Sequence, residues 1–204
     1  MTHWIGLTGG IGSGKSTVAN LFSSRHGIPI IDTDEISHSL TSNNGIAIPL
    51  LKEEFGGDFI DVFGNLKRDK MRRAILQDSS IKKILEYLLH PLILREVKRQ
   101  QLEIKSCYGF VVVPLLLEVV EFQKIIERIL LIDCSEEIQI ERIQNRNKLT
   151  YIEAKSLLSI QSSREQRLSI ADDIIDNYTS IDSLLYQIDD LHQFYLRYFH
   201  YDGN

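Results

Sequence analysis

The chain has 204 residues, of which 43% are hydrophobic and 25% charged, proportions that are ordinary for a globular protein and allow one α/β domain with an insertion. The net charge of −5 argues against a nucleic-acid coat protein or a binder of anionic membranes, because both need a positive surface. The longest apolar run, residues 110–117, is too short to cross a membrane, and no basic segment followed by an apolar stretch opens the chain. We therefore expect a cytoplasmic protein without nucleic-acid or membrane partners.

Five nearly continuous apolar runs predict strands that are buried on both faces, as in a parallel sheet. Helical stretches separate these runs, which indicates an α/β fold with right-handed crossovers. Pro29 should open the second strand, and Pro114, which has no N–H, should end the third. The predicted strands are residues 3–8, 28–31, 110–114, 128–133 and 173–176.

Helical patterns fill the intervals between the strands. The first helix should start near Lys15 and end near Gly27, and residues 182–199 should form a closing helix. Between the second and third strands lie nearly eighty residues, too many for a simple crossover. Residues 69–78 and 80–106 there are mostly helical in pattern, and Pro91 should interrupt the second stretch.

This long interval predicts a helical subdomain inserted at the carboxyl edge of the sheet, where ligands bind in open α/β folds. A second helical segment, rich in Arg and Glu, follows the fourth strand. The final three residues, 202–204, should be frayed. The expected division is a core of residues 1–35, 108–135 and 171–204, an insertion of 36–107, and a helical segment of 136–170.

Residues 9–16, Gly-Gly-Ile-Gly-Ser-Gly-Lys-Ser, match the phosphate-binding pattern G-x-x-x-x-G-K-[S/T] between a predicted strand and a predicted helix. Backbone N–H groups of such a loop form an anion cradle at a helix N-terminus. Lys15 can reach the β- and γ-phosphates, and the Ser16 hydroxyl can ligate Mg²⁺. The predicted nucleotide-binding residues are Gly10, Ile11, Gly12, Ser13, Gly14, Lys15, Ser16 and Thr17.

Asp32-Thr33-Asp34 follows the second strand at its carboxyl end. A carboxylate there can accept the proton of a hydroxyl that attacks the γ-phosphate. The same residue types also start helices well as N-caps, so one Asp can cap while the other acts in catalysis. From the residues alone, Asp32 and Asp34 are nearly equal candidates.

Arg142 and Arg146 are four residues apart and share a helix face, so they can clamp a transferring phosphoryl group. The alternative is a solvated surface beside Glu137 and Glu141. Glu118, in the loop after the third strand, can face the substrate or simply start the next helix. His90-Pro91 fits a helix interruption better than a catalytic histidine.

With these residues assembled, the chain resembles the dephospho-coenzyme A kinase family over about residues 4–192. The phosphate loop alone is generic, whereas the ordered set of segments is specific. The segments are residues 5–17, Asp32-Thr33-Asp34, Phe55-Gly56, residues 64–68, His90-Pro91-Leu92-Ile93, Pro114-Leu115-Leu116-Leu117-Glu118, Gln139, Arg142, Arg146, Gln161, Arg164 and residues 171–177.

The resemblance implies that ATP, with Mg²⁺, phosphorylates the 3′-hydroxyl of the adenosine ribose of dephospho-coenzyme A. It implies Asp34 as general base, Arg142 as stabiliser of the transferring charge with Arg146 assisting on the nucleotide, and residues 136–170 as a lid. It further implies a five-stranded parallel core. No pattern in the sequence encodes the oligomeric state, and we expect a monomer or a small homo-oligomer. The implied substrate-binding residues are Asp34, His90, Leu116 and Glu118.

Three positions depart from the family pattern. His38 stands where the family usually has Arg, Asn44-Gly45 replaces Pro-Gly, and Asn147 replaces an aspartate that follows the lid arginine in many members. These departures affect the expected acceptor contacts and the lid geometry.

Two rival functions share the phosphate loop. One is another small-molecule kinase, acting on a nucleoside monophosphate, shikimate or gluconate. The other is a GTPase switch, for which residues 61–64 fit D-x-x-G. However, residues 147–150 end in Thr and lack the guanine-binding N-K-x-D sequence, so the GTPase is disfavoured.

Overall fold

The computed structural model describes residues 2–178 and 180–201, so the fraying predicted for residues 202–204 lies outside them. Within the described residues, five strands form one parallel sheet in the order β2-β3-β1-β4-β5. The predicted α/β class is confirmed. The strands are β1 (His3–Thr8), β2 (Ile30–Asp32), β3 (Tyr108–Val112), β4 (Arg128–Asp133) and β5 (Asp173–Asp176).

Helices occupy the intervals between the strands. They are α1 (Lys15–His26), α2 (Thr33–Leu40), α3 (Ile48–Phe55), α4 (Arg68–Gln77), α5 (Ser79–Glu103), α6 (Val120–Gln123), α7 (Glu136–Asn147), α8 (Tyr151–Ser159), α9 (Arg164–Ile170) and α10 (Ile181–Tyr201). A 3₁₀ turn spans Gly57–Phe59. Among the described residues, no helix combines the length and apolar character needed to span a membrane.

The chain packs as two compact units. Residues up to Ile31 together with those from Glu103 onward form one unit, and Asp32–Leu102 form the other. The three-helix segment 136–170, which contains α7, α8 and α9, therefore belongs to the same unit as the sheet.

The core of the sheet-containing unit lies around its central strand, β1. Ile5 and Leu7 are fully buried, and Ile5 pairs with Phe110 of β3 on one side and Arg128 of β4 on the other. Helices α1 and α10 cover this layer with buried side chains that include Phe22 and Tyr195. Because parallel strands need both faces covered, the apolar runs of the sequence become the most buried elements.

The end of α1 is set by Gly27, as the sequence predicts. Its φ of 65° is left-handed, and its N–H donates to the carbonyl of Ser23 at 2.9 Å. Glycine adopts this conformation without the steric cost that a Cβ would bring, so the helix stops there and the chain turns toward β2.

The prediction that Pro91 interrupts a helix is wrong, because α5 runs through it without a break. Leu89, Ile93 and Val97 are buried at four-residue spacing on both sides of the proline. Keeping this face continuous offsets the roughly 3 kcal/mol that an interior proline costs. The missing N–H would have bonded the carbonyl of Tyr87, a residue that is 79% exposed and therefore accessible to water.

Two strand boundaries also differ from the prediction. β2 begins at Ile30 rather than residue 28, although the carbonyl of Pro29 already accepts a hydrogen bond from the N–H of Phe110. β3 covers Tyr108–Val112, two residues earlier than predicted, because the ladder ends before Pro114 rather than at it.

Candidate active site

The phosphate loop joins β1 to α1 and depends on glycine at two left-handed positions. Gly12 has a φ of 76° and Gly14 a φ of 95°, a region that side chains other than glycine rarely adopt. A Cβ on Gly14 would lie 2.1 Å from Nδ2 of Asn177, and one on Gly12 would lie 2.9 Å from the carbonyl oxygen of Gln139. The motif glycines therefore serve both the turn and the close approach of neighbouring elements.

Every carbonyl from residue 9 to residue 13 accepts a hydrogen bond from a surrounding side chain. The contacts are Lys15 Nζ to Gly9 O at 2.8 Å and to Gly10 O at 3.0 Å, Gln139 Nε2 to Ile11 O at 2.8 Å, Arg142 Nη1 to Gly12 O and Ser13 O at 3.3 Å each, and Asn177 Nδ2 to Ser13 O at 2.6 Å. An anion cradle needs its N–H groups turned toward the anion, so carbonyls that bond to residues outside the loop, as those of residues 11–13 do, suit a phosphate site.

Arg142 connects the loop to the segment after β5. Besides its two loop contacts, its Nη2 donates to the carbonyl of Asn177 at 3.0 Å. Arg146, one turn further along α7, is exposed. Of the predicted arginine pair, only Arg142 bonds to the loop in this structure.

A cavity of about 320 Å³ opens beside the loop. Its position next to Gly14 and Thr17 places it at the first turn of α1, where Ser16 and Thr17 are exposed. Its lining residues are Gly14, Thr17, Arg142, Asn177, Ser180, Ile181 and Leu184.

Two further arginines, Arg164 and Arg167, bond to residues of the sheet-containing unit. Arg164 makes a bidentate ion pair with Asp133, a buried residue at the end of β4, with Nε–Oδ1 at 2.9 Å and Nη2–Oδ2 at 2.5 Å. Hydrogen bonding to this carboxylate raises the pKa of Arg164. Arg167 is buried and donates to the carbonyl of Ser162, and burial lowers its pKa.

The structure shows a capping role for Asp32, the last residue of β2. Asp32 is the N-cap of α2, and its Oδ1 accepts from the N–H of Asp34 at 2.8 Å and of Glu35 at 3.4 Å. Asp34 lies exposed on the first turn of α2, and His38 is exposed one turn later on the same face. Asp32 therefore caps α2.

The remaining predicted site residues occupy different surroundings. His90 is half-buried on α5, in the unit formed by Asp32–Leu102. Leu116 is fully buried, and its carbonyl accepts from Nε2 of Gln123 at 3.0 Å, so only its backbone faces polar partners. Glu118 is exposed and accepts from the N–H and hydroxyl of Ser162 at 3.2 and 2.6 Å.

Several contacts around the loop were not predicted from the sequence. Asp133 belongs to no recognisable motif, and in the sequence it is simply the last residue of an apolar strand. Gln139, Gln161 and Asn177 stood among the segments shared with the family, but no periodicity indicated which atoms they bind. These contacts join residues more than thirty positions apart, which local patterns do not encode.

The D-x-x-G segment that suggested a GTPase is a structural turn. The carboxylate of Asp61 accepts from the N–H groups of Phe63 and Asn65 at 2.9 and 2.8 Å and from the Asn65 side chain. These bonds, with the backbone bond from Asn65 the largest contribution, lower the pKa of Asp61. The segment closes a short loop between the bridged residues Ile60 and Leu66.

Comparison with known proteins finds relatives that are described as dephospho-CoA kinases. A family model described as dephospho-CoA kinase matches residues 3–183. The dephospho-CoA kinase of Burkholderia thailandensis is 43% identical over 195 residues, which cover 95% of this chain and 96% of that protein. The dephospho-CoA kinase of Nitrosomonas europaea is 46% identical over 192 residues, which cover 94% of each.

The fold also matches a solved structure. The dephospho-CoA kinase from Campylobacter jejuni superposes with a TM-score of 0.68 at 24% identity, covering 95% of this chain and 96% of that one. At this identity the likeness concerns the arrangement of strands and helices.

Proposed function

The chain belongs to the dephospho-CoA kinase family, and we propose that its phosphate loop, Asp34 and Arg142 carry out the family's reaction. In that reaction ATP phosphorylates dephospho-CoA on the 3′-hydroxyl of the adenosine ribose, giving coenzyme A and ADP in coenzyme A biosynthesis. The observation that supports the assignment of the nucleotide site is the loop itself, in which the carbonyls of residues 11–13 accept hydrogen bonds from Gln139, Arg142 and Asn177 outside the loop.

The nucleotide would occupy the loop and the adjoining cavity. Lys15 supplies positive charge to the β- and γ-phosphates once its ammonium turns from the carbonyls of Gly9 and Gly10. We infer that the cavity, which begins at Gly14 and Thr17, takes the nucleoside end of ATP.

The residues present fit a magnesium ion held mainly by substrate. Among the described residues, no group of three His, Cys, Asp or Glu side chains is arranged to hold a metal. Mg²⁺ at nucleotide sites keeps several waters and needs only one or two protein oxygens beside the phosphates, and the exposed Ser16 hydroxyl on the first turn of α1 meets that need. When bound, the ion neutralises charge on the phosphates.

Asp34 would act as the general base that accepts the proton of the ribose hydroxyl as it attacks the γ-phosphate. Its support is positional, since it lies two residues beyond the end of β2 and its side chain is exposed. Arg142 would stabilise charge on the transferring group, and Arg146 would join it when the 136–170 segment closes as a lid.

The acceptor would bind to the helical insertion, residues 36–107, with contributions from His90 and Glu118. Leu116 would contribute through its backbone, because its side chain is fully buried. A cytoplasmic location and a monomer or small homo-oligomer remain predictions from the sequence.

The test compares two isosteric substitutions two residues apart, Asp34→Asn and Asp32→Asn. ADP release with ATP, Mg²⁺ and dephospho-CoA is measured for each, together with ATP affinity. A lost general base lowers the rate by about 10²–10⁴-fold, so we expect that loss in Asp34→Asn with ATP affinity retained.

Asp32→Asn is the matched control, because asparagine caps helices as well as aspartate does. It should keep most of the activity. Turnover that survives in Asp34→Asn but is lost in Asp32→Asn would move the base to Asp32.

A further inference from the structure

Ile11, the third residue of the phosphate loop, packs against the three-helix segment 136–170. Its side chain adjoins a small apolar cluster built from Ile140 and Ile143 of α7 and Ala154 of α8. This cluster is separate from the main core around the sheet. One side chain of the loop is thus part of the packing of the helical segment.

The peptide groups of Ile11 are held by the same segment from both sides. The N–H of Ile11 donates to Oε1 of Gln161, in the turn between α8 and α9, at 2.8 Å. The carbonyl of Ile11 accepts from Nε2 of Gln139, a fully buried residue of α7, at 2.8 Å. Residues within 139–161 therefore contact the side chain of Ile11 and bond to both its N–H and its carbonyl.

The Gln161 contact differs in kind from the others around the loop. The hydrogen bonds from Gln139, Arg142 and Asn177 hold carbonyl oxygens of the loop, and donors on any other element could hold them equally well. Gln161 instead accepts a hydrogen bond from an N–H of the loop, which fixes the plane of the Ile11 peptide. The orientation of the following N–H groups depends on that plane, because only φ and ψ separate successive peptides.

We propose that Gln161 is a positioning residue that couples the turn between α8 and α9 to the phosphate loop, so that the strength of nucleotide binding depends on where this turn sits. Gln161 would act through the loop backbone, to which it is hydrogen-bonded. Movement of the 136–170 segment would therefore change the cradle through Ile11. The inference rests on the nucleotide site proposed above.

The test is Gln161→Met, which keeps the length of the side chain and removes its oxygen. The dissociation constants for ATP and ADP, and KM for ATP, should rise about 2–10-fold, the size expected for one neutral hydrogen bond. Neither kcat nor KM for dephospho-CoA should change by more than about twofold. Exchange of the Ile11 amide hydrogen should accelerate, whereas Gln161→Glu, which retains an acceptor, should keep it protected.

The matched control is Gln166→Met in the same segment. Gln166 also accepts a backbone N–H through its side-chain oxygen at 2.8 Å, but from Ser163, at the start of α9. This variant should lower the melting temperature, whereas its effects on ATP binding and Ile11 exchange should be clearly smaller than those of Gln161→Met, because the N–H that it releases is that of Ser163 and not that of the loop.

Three results would overturn the coupling. They are unchanged ATP affinity in a folded Gln161→Met, an equal loss of affinity in Gln166→Met, and unchanged exchange of the Ile11 amide. A failure of the wild-type protein to bind ATP would instead refute the proposed nucleotide site, before any variant is compared.

Discussion

Replacing Asn177 by aspartate changes one side-chain amide into a carboxylate where the phosphate loop, α7 and the segment after β5 meet. Asn177 follows β5 and is only 8% exposed. Its Nδ2 donates to the carbonyl of Ser13 at 2.6 Å, and its own carbonyl accepts from Arg142 at 3.0 Å. Asn177→Asp keeps the shape of the side chain but turns the donor into a second acceptor facing a carbonyl oxygen.

The expected cost follows from these contacts. The lost hydrogen bond is worth about 0.5–1.5 kcal/mol, and a buried carbonyl left facing an acceptor adds about 1–3 kcal/mol. Arg142 Nη1 also reaches the Ser13 carbonyl, at 3.3 Å, so the carbonyl keeps a partner and the lower part of this range applies. We expect the free energy of unfolding to fall by about 1.5–3 kcal/mol, which corresponds to roughly 3–12 °C in Tm for a chain of this size.

The assay is calorimetric melting of Asn177→Asp beside Asn20→Asp. Asn20 is exposed on α1, so its substitution adds the same charge without touching the loop. ATP binding should weaken in Asn177→Asp, and more so at low salt, because the new carboxylate repels the phosphates. Two variants that melt within about 1 °C of each other and bind ATP equally would refute the reasoning.

Three further outcomes are expected. Gly14→Ala should weaken ATP binding and lower Tm by several degrees, because its φ of 95° costs alanine about 1–2 kcal/mol and its Cβ would displace Asn177. Burial, followed by the charge of a neighbouring histidine, lowers the pKa of His192, so the unfolded chain binds more protons below about pH 6.5. Stability should therefore fall from pH 7.5 to 5.5, and less so in His192→Gln, whose side-chain amide can still hydrogen-bond the Tyr108 hydroxyl. Burial raises the pKa of the Cys134 thiol, so in the native protein it should be alkylated slowly at pH 7.5.

Each of these outcomes has a control. Gly57→Ala should be nearly neutral, since a Cβ there meets only a flexible lysine methylene at 3.5 Å. Equal pH dependence in wild type and His192→Gln would remove His192 as the cause of the acid sensitivity. Cys107, which is half-buried, should react before Cys134 in the native protein and equally fast after denaturation; the reverse native order would contradict the assignment.

Local patterns were enough to predict the order of strands and helices and the phosphate loop. Parallel strands buried on both faces leave continuous apolar runs, and Gly27 marks the end of α1 through its conformation. The α5 helix shows where such patterns fail. A proline signals a local break, whereas the burial of Leu89, Ile93 and Val97 is decided by the tertiary structure.

The candidate site could be predicted only in part for a related reason. Asp32 and Asp34 are equivalent in sequence until the cap geometry shows that Asp32 holds the backbone of α2. The pairing of Asp133 with Arg164 and the contact of Gln161 with Ile11 join distant parts of the chain. No spacing rule connects such residues, so their roles require coordinates.

The most direct measurement is the dependence of ADP formation on the acceptor's ribose hydroxyl. With ATP and Mg²⁺, dephospho-CoA should yield one ADP per acceptor consumed, and the product should carry its new phosphate on the 3′-oxygen. The 3′-deoxy analogue of dephospho-CoA should give no ADP above the rate with ATP alone. ADP formation that continues with the 3′-deoxy analogue, or a phosphate found at another position, would contradict the reaction proposed for this site.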